Sequence, residues 1–425
     1  MTRLRQLGIT GAFISVTTLF FAWGFITSNN DPLIVALRAV FQLNYTEALL
    51  TQFVFFLAYG MFSLPAASLG QRLGTVGAIV MSLCTMIAGC LLVRSSVHFN
   101  DYVLILASLF VLAAGITALQ VAANPLAAAL GPAETSHFRL SFAQTFNSLG
   151  VVVGVQYGSR LMLGDAVLKA GGGKIHSAAQ RTEALSAVSH AFTIMAMLLG
   201  LLALFVLSQR KRITVAANQS PPAQQASALA ALRSRWAVAG AAAIGLYVGA
   251  EVSIGSIMIN FLHQRHIFDL PLESAGNYLA TFYWGGALAG RIAGSFLLTR
   301  IAAPRLLGCC ALIAIFLCLV VFGSSGTLAG SAALSIGLFN SIMFPTIFTI
   351  TLERSGASQS STSGLLCLAI VGGALLPLLV GAIADTLSLS VAFAVPAIAY
   401  GFIFLFALGA ERKAPLSPAQ GLTLA

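Results

Sequence analysis

Two carboxylates in this chain interrupt long apolar runs. Asp31 lies in "FAWGFITSNNDPLIVAL", after Asn29 and Asn30 and before Pro32; Glu251 lies in "YVGAEVSIGSIMINFL". The other ten of the twelve acidic residues fall in loops or near the ends of apolar runs. A charged side chain at a bilayer centre costs about 2.5–3.5 kcal/mol on insertion scales, so it is kept where water, a partner or a substrate meets it. A carboxyl group in that position can take up and release a cation. Pro32 removes a backbone donor and exposes a carbonyl one turn earlier, which widens a polar notch around Asp31. The apolar sequence resumes after the notch in "PLIVAL" and "AVFQL", with Arg38 the one interruption, so the span is expected to continue past Asp31. Glu251 stands about fifteen residues into its run, near mid-depth. Asp31 and Glu251 are the expected ion-coupling residues, and Glu251 also a substrate contact. A carboxyl group neutralised within packing is the structural alternative for Glu251.

Uncharged amides also collect inside apolar runs. Gln120 and Asn124 are four apart and share a helix face. Gln144 and Asn147 are three apart in "AQTFNSLG", and Asn277 and Asn340 come from the second half of the chain. An amide offers both donors and an acceptor, which suits a ligand covered in hydroxyls. Trp23, Phe282, Tyr283 and Trp284 can lie against the apolar faces of such a ligand. The expected substrate-binding set is therefore Asn30, Gln120, Asn124, Gln144, Asn147, Glu251, Asn277 and Asn340, with Trp23 and Tyr283. For any single amide, a hydrogen bond between helices is the structural alternative. Arg291, in "GRIAGSF", is expected to serve structure by snorkelling to the inner surface.

The elements that position these residues follow from composition. Of 425 residues, 58% are hydrophobic and 8% charged, and the mean hydropathy is +0.93. A soluble domain carries about 25% charged residues, so the solvent for this chain is lipid. The net charge of +10 is scattered through short loops and forms no stripe, which excludes nucleic acid as a partner. The six cysteines lie inside apolar runs with no metal spacing, and neither a metal nor a cofactor is expected. A spanning helix needs about 20 mostly apolar residues. Twelve runs qualify: 9–41, 46–70, 74–94, 102–130, 137–164, 187–208, 235–262, 272–299, 304–324, 327–352, 360–384 and 389–410. The basic, apolar start "MTRLRQLGITGAFISV" reads as part of the first span and not as a cleaved leader. With the N-terminus inside, the inner segments carry 14 Lys/Arg and the outer ones seven, which places both termini in the cytoplasm.

Residues 208–235, rich in Ala, Gln, Pro and Ser, divide the spans six and six. The expected domains are an N-terminal six-helix bundle over 1–209, a cytoplasmic linker over 210–234, and a C-terminal six-helix bundle with a short tail over 235–425. The halves echo each other. Gly150, Gly154 and Gly158 are matched six spans later by Gly373, Pro377 and Gly381; Gln120 precedes Pro125 by five residues as Asn340 precedes Pro345. A second stripe, Gly286, Gly290 and Gly294, allows close helix approach, either as static packing or as a smooth contact between halves that rock. Repeats of six spans with a site between them are a transporter arrangement.

At these residues the chain resembles the major facilitator superfamily, and within it the fucose permease and glucose/galactose permease group of sugar symporters. The resemblance is carried by "NNDPLI" (29–34), "LQVAANP" (119–125), "LGPAETSHFRLSFAQTFNSLG" (130–150), "YVGAEVSIGS" (247–256), "NYLATFYWGGALAGRIAG" (277–294) and "FPTIFTI" (344–350), and runs from about residue 15 to 405. It implies an all-α membrane fold of two six-helix bundles, a monosaccharide bound between them, and uptake driven by a cation, H+ or Na+, across the bacterial inner membrane by a monomer. By position, Asp31 matches the first-helix acid that the fucose permease needs, and Asn124, Gln144 and Asn147 match cavity-lining polar residues. The fucose permease has a titrating glutamate where this chain has Gln120, and an amide where this chain has Glu251. Both departures are similar to the glucose/galactose branch and point to a hexose over fucose. A drug/proton antiporter of the same superfamily would need a larger apolar cavity, against which the amides argue. A polytopic membrane enzyme would need clustered carboxylates or His/Asp motifs at a membrane face; the six histidines are dispersed and no nucleophile stands beside a base.

Overall fold

The computed structural model describes residues 10–43, 45–162, 175, 177–217 and 228–412. Among these the regular structure is helical throughout. The first span forms as two helices, α1 (Gly11–Ser28) and α2 (Asn30–Phe41), hinged at Asn29. The hinge follows from the sequence. Pro32 falls in the first turn of α2, where its missing N–H is not needed, and the Asn29 amide donates to the Phe25 carbonyl at 2.5 Å. The polar notch is thus a joint between helices. α3 (Tyr45–Phe99) runs for 55 residues, about 80 Å at 1.5 Å per residue. It is broken at Gly74, where φ is 71° and ψ 168°, so it makes the second and third spans. Only glycine adopts that conformation readily.

α4 (Tyr102–Ala129) is followed by a short 3-10 turn, Ala133–Thr135, and then by α5 (Ser136–Met162) and α6 (Ala178–Ser208). α6 begins nine residues before the expected start of the sixth span. The segment read as a linker carries an eight-residue helix, α7 (Arg210–Ala217), and a 3-10 turn, Ala228–Arg233; residues 218–227 lie outside the described part. α8 (Arg235–His263) forms the seventh span. The eighth runs through α9 (Leu272–Tyr278), a π-helical segment, Leu279–Trp284, and α10 (Gly285–Leu297). α11 (Ala303–Gly323) is the ninth. The tenth span, expected as one helix, is two: α12 (Gly326–Asn340) and α13 (Met343–Arg354), parted just before Pro345. The eleventh is also interrupted, α14 (Gln359–Leu368) and α15 (Gly372–Thr386) meeting at a 3-10 turn. α16 (Leu389–Ala392) and α17 (Ala394–Arg412) complete the chain.

Nine of the described helical stretches are long and apolar enough to cross a bilayer, one of them the double span in α3. α5 and the run from α9 to α10 are less apolar because they carry Gln144, Asn147, Asn277 and Arg291. With these the fold has twelve transmembrane helices, as expected. Large apolar side chains stand exposed on the outer helix faces, among them Leu201 at 65% and Leu378 at 72%. In water such surfaces would aggregate; in lipid they are solvated.

The helices form two compact units. One holds residues 10–130 and 146–217; the other holds 131–145 and 228–412. α5 therefore starts in the second unit and ends in the first. Within the first, the stripe on α5 meets α1: a Cβ on Gly154 would lie 2.5 Å from the Phe25 carbonyl, and Gly150 and Gly158 abut Phe21 and Asn29. Within the second, α15 meets α8 in the same way, through Gly372 on Gly245 and Gly249 on Leu376. Gly372, next to the expected Gly373, makes this contact, and the expected Gly381 faces open space. Gly290 and Gly294 rest on Leu338 and Ile342 of the same unit, so the α10 stripe is static packing.

Candidate functional site

In the first unit, Gln120 and Asn124 lie buried on α4 at 1% and 0% exposure. The Gln120 amide nitrogen donates to the Tyr59 hydroxyl, brought by the first half of α3. Its side-chain oxygen is buried and accepts no hydrogen bond from the described protein. The side-chain oxygens of Asn29 and Asn30 at the hinge are in the same condition. Asn147 instead reaches from α5 to α1, donating to the Phe20 carbonyl at 3.2 Å, which is a helix-to-helix bond. Trp23 is buried on α1 against Phe20, with ring centroids 5.6 Å apart. The backbone of Asp31 is helical in the first turn of α2; its side chain lies outside the described part of the structure.

The second unit repeats the theme. Asn340, the last residue of α12, is fully buried. Its amide nitrogen donates to the Tyr283 hydroxyl at 3.1 Å and to the Tyr400 hydroxyl at 3.4 Å. Its side-chain oxygen is buried and accepts nothing from the described protein. Gln120 and Asn340 thus stand at matched positions, each five residues before a proline. Each binds a tyrosine two spans earlier, and each keeps one amide oxygen in reserve. Burial of an unsatisfied acceptor costs about 1–3 kcal/mol, a cost that a ligand hydroxyl removes.

Glu251 is half-buried on α8. Tyr247, one turn earlier, donates to its carboxylate at 2.8 Å, and Tyr283 donates to its backbone carbonyl at 3.4 Å. Arg291 interacts electrostatically with Glu251. Its guanidinium donates to the Ser341 carbonyl at 3.0 Å and the Gln144 carbonyl at 3.4 Å. Ser341 lies in the break between α12 and α13; Pro345, four residues on, has no N–H to give its carbonyl, which leaves that carbonyl for Arg291. Gln144 itself is buried at 4% exposure. Asn277 and Trp284 are exposed, and Trp284 meets Tyr283 edge to face with centroids 5.0 Å apart. The π segment supplies Phe282, Tyr283 and Trp284 together. π insertions in α-helices are frequent at functional sites, and nothing in the residue pattern announced this one.

The start of α5 is fastened within the second unit. Ser136 donates to Glu353 at 2.7 Å, His137 pairs with Glu353 at 3.3 Å and bonds Thr349, and Ser295 donates to Ser141 at 2.9 Å. Sequence reasoning missed this cluster and also Tyr59, Tyr247 and Tyr400. The spacing of four between Tyr247 and Glu251 was a legible signal; the rest join residues far apart in the chain.

Comparison with known proteins agrees with this geometry. The model of the Major Facilitator Superfamily matches residues 7–370. A glucose/galactose transporter of Brucella abortus biovar 1 (strain 9-941) is 42% identical over 398 residues, covering 93% of each chain. The L-fucose-proton symporter of Escherichia coli (strain K12) is 31% identical over 411 residues, covering 93% of this chain and 92% of that one. The crystal structure of the transporter FucP in the outward conformation superposes with a TM-score of 0.82 at 28% identity, covering 95% of this chain and 99% of that one. These relatives are transporters and not enzymes. With twelve transmembrane helices, an amide bound to a tyrosine within each unit, and this likeness along nearly its whole length, the chain belongs to the major facilitator superfamily.

Proposed function

We propose that this protein is a secondary active transporter carrying a hexose, glucose or galactose, into the cell together with a proton. The observation that carries the reading is the matched pair of amide–tyrosine bonds, Gln120 with Tyr59 and Asn340 with Tyr283, each amide holding a buried oxygen that takes no protein donor. Sugar hydroxyls supply such donors. A drug/proton antiporter would call for a larger apolar cavity, and the number of buried amides weighs against that reading. The relative named a glucose/galactose transporter is the more similar at 42% identity, against 31% for the fucose-proton symporter, which favours a hexose over fucose.

In this mechanism the chain is a monomer in the bacterial inner membrane with both termini in the cytoplasm. Asp31 takes a cation from the outer side, H+ in preference to Na+, since sodium coordination calls for more oxygen ligands than one carboxyl group. Neutralising it lowers the cost of shutting the outer side against water. The amides and Glu251 hold the sugar. The two bundles, 1–209 and 235–425, then rock. The test is uptake of radiolabelled glucose and galactose into proteoliposomes under imposed pH or sodium gradients. Accumulation driven by an inward proton gradient is expected, and Asp31→Asn should abolish it while leaving counterflow. Accumulation that survives Asp31→Asn, or uptake of neither hexose, refutes the reading.

A further inference from the structure

A second cavity lies away from every residue assigned to sugar or cation. It occupies about 680 Å³ between the end of the third span and the start of the sixth, entirely within the first unit. That volume is in the range of sites for small ligands, about 300–1,000 Å³. Its wall carries Arg94 and His98 from α3 and Arg181 and His190 from α6, with the hydroxyls of Thr182 and Ser186 beside them. No carboxylate is among its described lining residues.

Two further features aim positive charge into the same space. The cavity reaches Ala178, the first residue of a 31-residue helix. That helix has no acidic residue in its first turn, and Ser177 caps none of its N–H groups with its side chain. The free amides and the helix dipole there attract an anion. The Nε of Arg181 is shut from solvent and donates to nothing in the described protein. A buried cationic donor without an acceptor is costly, and an anion removes that cost. Asn100 turns the chain with a left-handed φ of 53° and Asp101 caps α4, so the cavity lies at the end of α3 and beside the start of α4. Phe99 and Val103, which flank this turn, are 72% and 70% exposed. A basic cavity between transmembrane helices, edged by exposed apolar side chains, suits a phospholipid headgroup whose acyl chains remain in the bilayer.

We propose that this cavity binds a phosphate-bearing anion, either the phosphodiester headgroup of an anionic phospholipid or a free phosphate from the aqueous side. Under the proposed orientation the site faces the outer leaflet, and binding does not depend on sugar transport. The test uses the full chain purified in a neutral detergent. Its unfolding temperature is followed on adding dihexanoyl phosphatidylglycerol, inorganic phosphate, dihexanoyl phosphatidylcholine, or sodium chloride at matched ionic strength. A saturable rise with the anionic lipid but not with phosphate identifies a lipid site; a rise with both identifies a site for which the phosphate group suffices. Either rise should be lost in R94Q/R181Q. It should also be lost in Thr182→Glu, which sets a carboxylate at an exposed position on the cavity wall and serves should the double variant fail to fold. No rise with either probe beyond that given by chloride or phosphatidylcholine overturns the proposal. So does a rise of equal size in the variants.

Discussion

Replacing Asn340 with leucine separates a structural role from a sugar-binding one. The amide makes two hydrogen bonds, to Tyr283 at 3.1 Å and Tyr400 at 3.4 Å. Each neutral bond contributes about 0.5–1.5 kcal/mol net, so their loss costs about 1–3 kcal/mol. The same substitution removes a fully buried side-chain oxygen that no protein group satisfies. Its desolvation costs about 1–3 kcal/mol, so its removal offsets the lost bonds. Leucine and asparagine are close in size, and the net change in stability is expected within about 1 kcal/mol of zero. Sugar binding has no such compensation. A hydroxyl that bonded to the asparagine oxygen would face a methyl group, losing about 1–3 kcal/mol. At 1.4 kcal/mol per tenfold, that is a rise in Kd of about 5-fold to 150-fold. The assay pairs a thermal unfolding scan with hexose binding by titration calorimetry on the same preparation. An unchanged unfolding temperature with unchanged hexose affinity would show that Asn340 only ties helices together, and the reading of its spare oxygen would fail.

Other outcomes follow from the same geometry. Glu353→Gln removes the partner of His137 at 3.3 Å and of Arg354 at 3.7 Å, so the start of α5 should open more often. In a Ser141→Cys background, alkylation by a water-soluble maleimide is expected to speed up several-fold, and an unchanged rate would show that Glu353 does not hold this end. Gly154→Leu drives a side chain into the Phe25 carbonyl and Ser28, while Gly381→Ala meets nothing within 4 Å. The first should lower the unfolding temperature by the equivalent of about 3 kcal/mol or more, and the second should leave it level or slightly raised. Gly74→Ala forces a residue with a Cβ into φ 71°, ψ 168°, which costs about 1–3 kcal/mol and should appear as lost thermal stability with no change in hexose affinity.

Much of the fold was legible because lipid imposes a single rule, that polar backbone be satisfied inside helices about 20 residues long. Apolar runs and the charge-poor composition sufficed to place twelve spans. The interruptions within them were harder to read. Pro32 and Pro345 both mark breaks, yet whether a proline kinks a helix or parts it depends on what takes up the freed carbonyls. At Ser341 that group is Arg291, fifty residues away. The sequence also identified the buried amides by type, since amides in apolar runs must find partners. It did not pair Gln120 with Tyr59 or Asn340 with Tyr283 and Tyr400, because those bonds join helices 57 to 61 residues apart. Periodicity reports which residues share one helix face. Which face meets which neighbour, and which polar atom is left without a partner, is decided by packing among all the helices of a unit at once, and only the tertiary structure contains it.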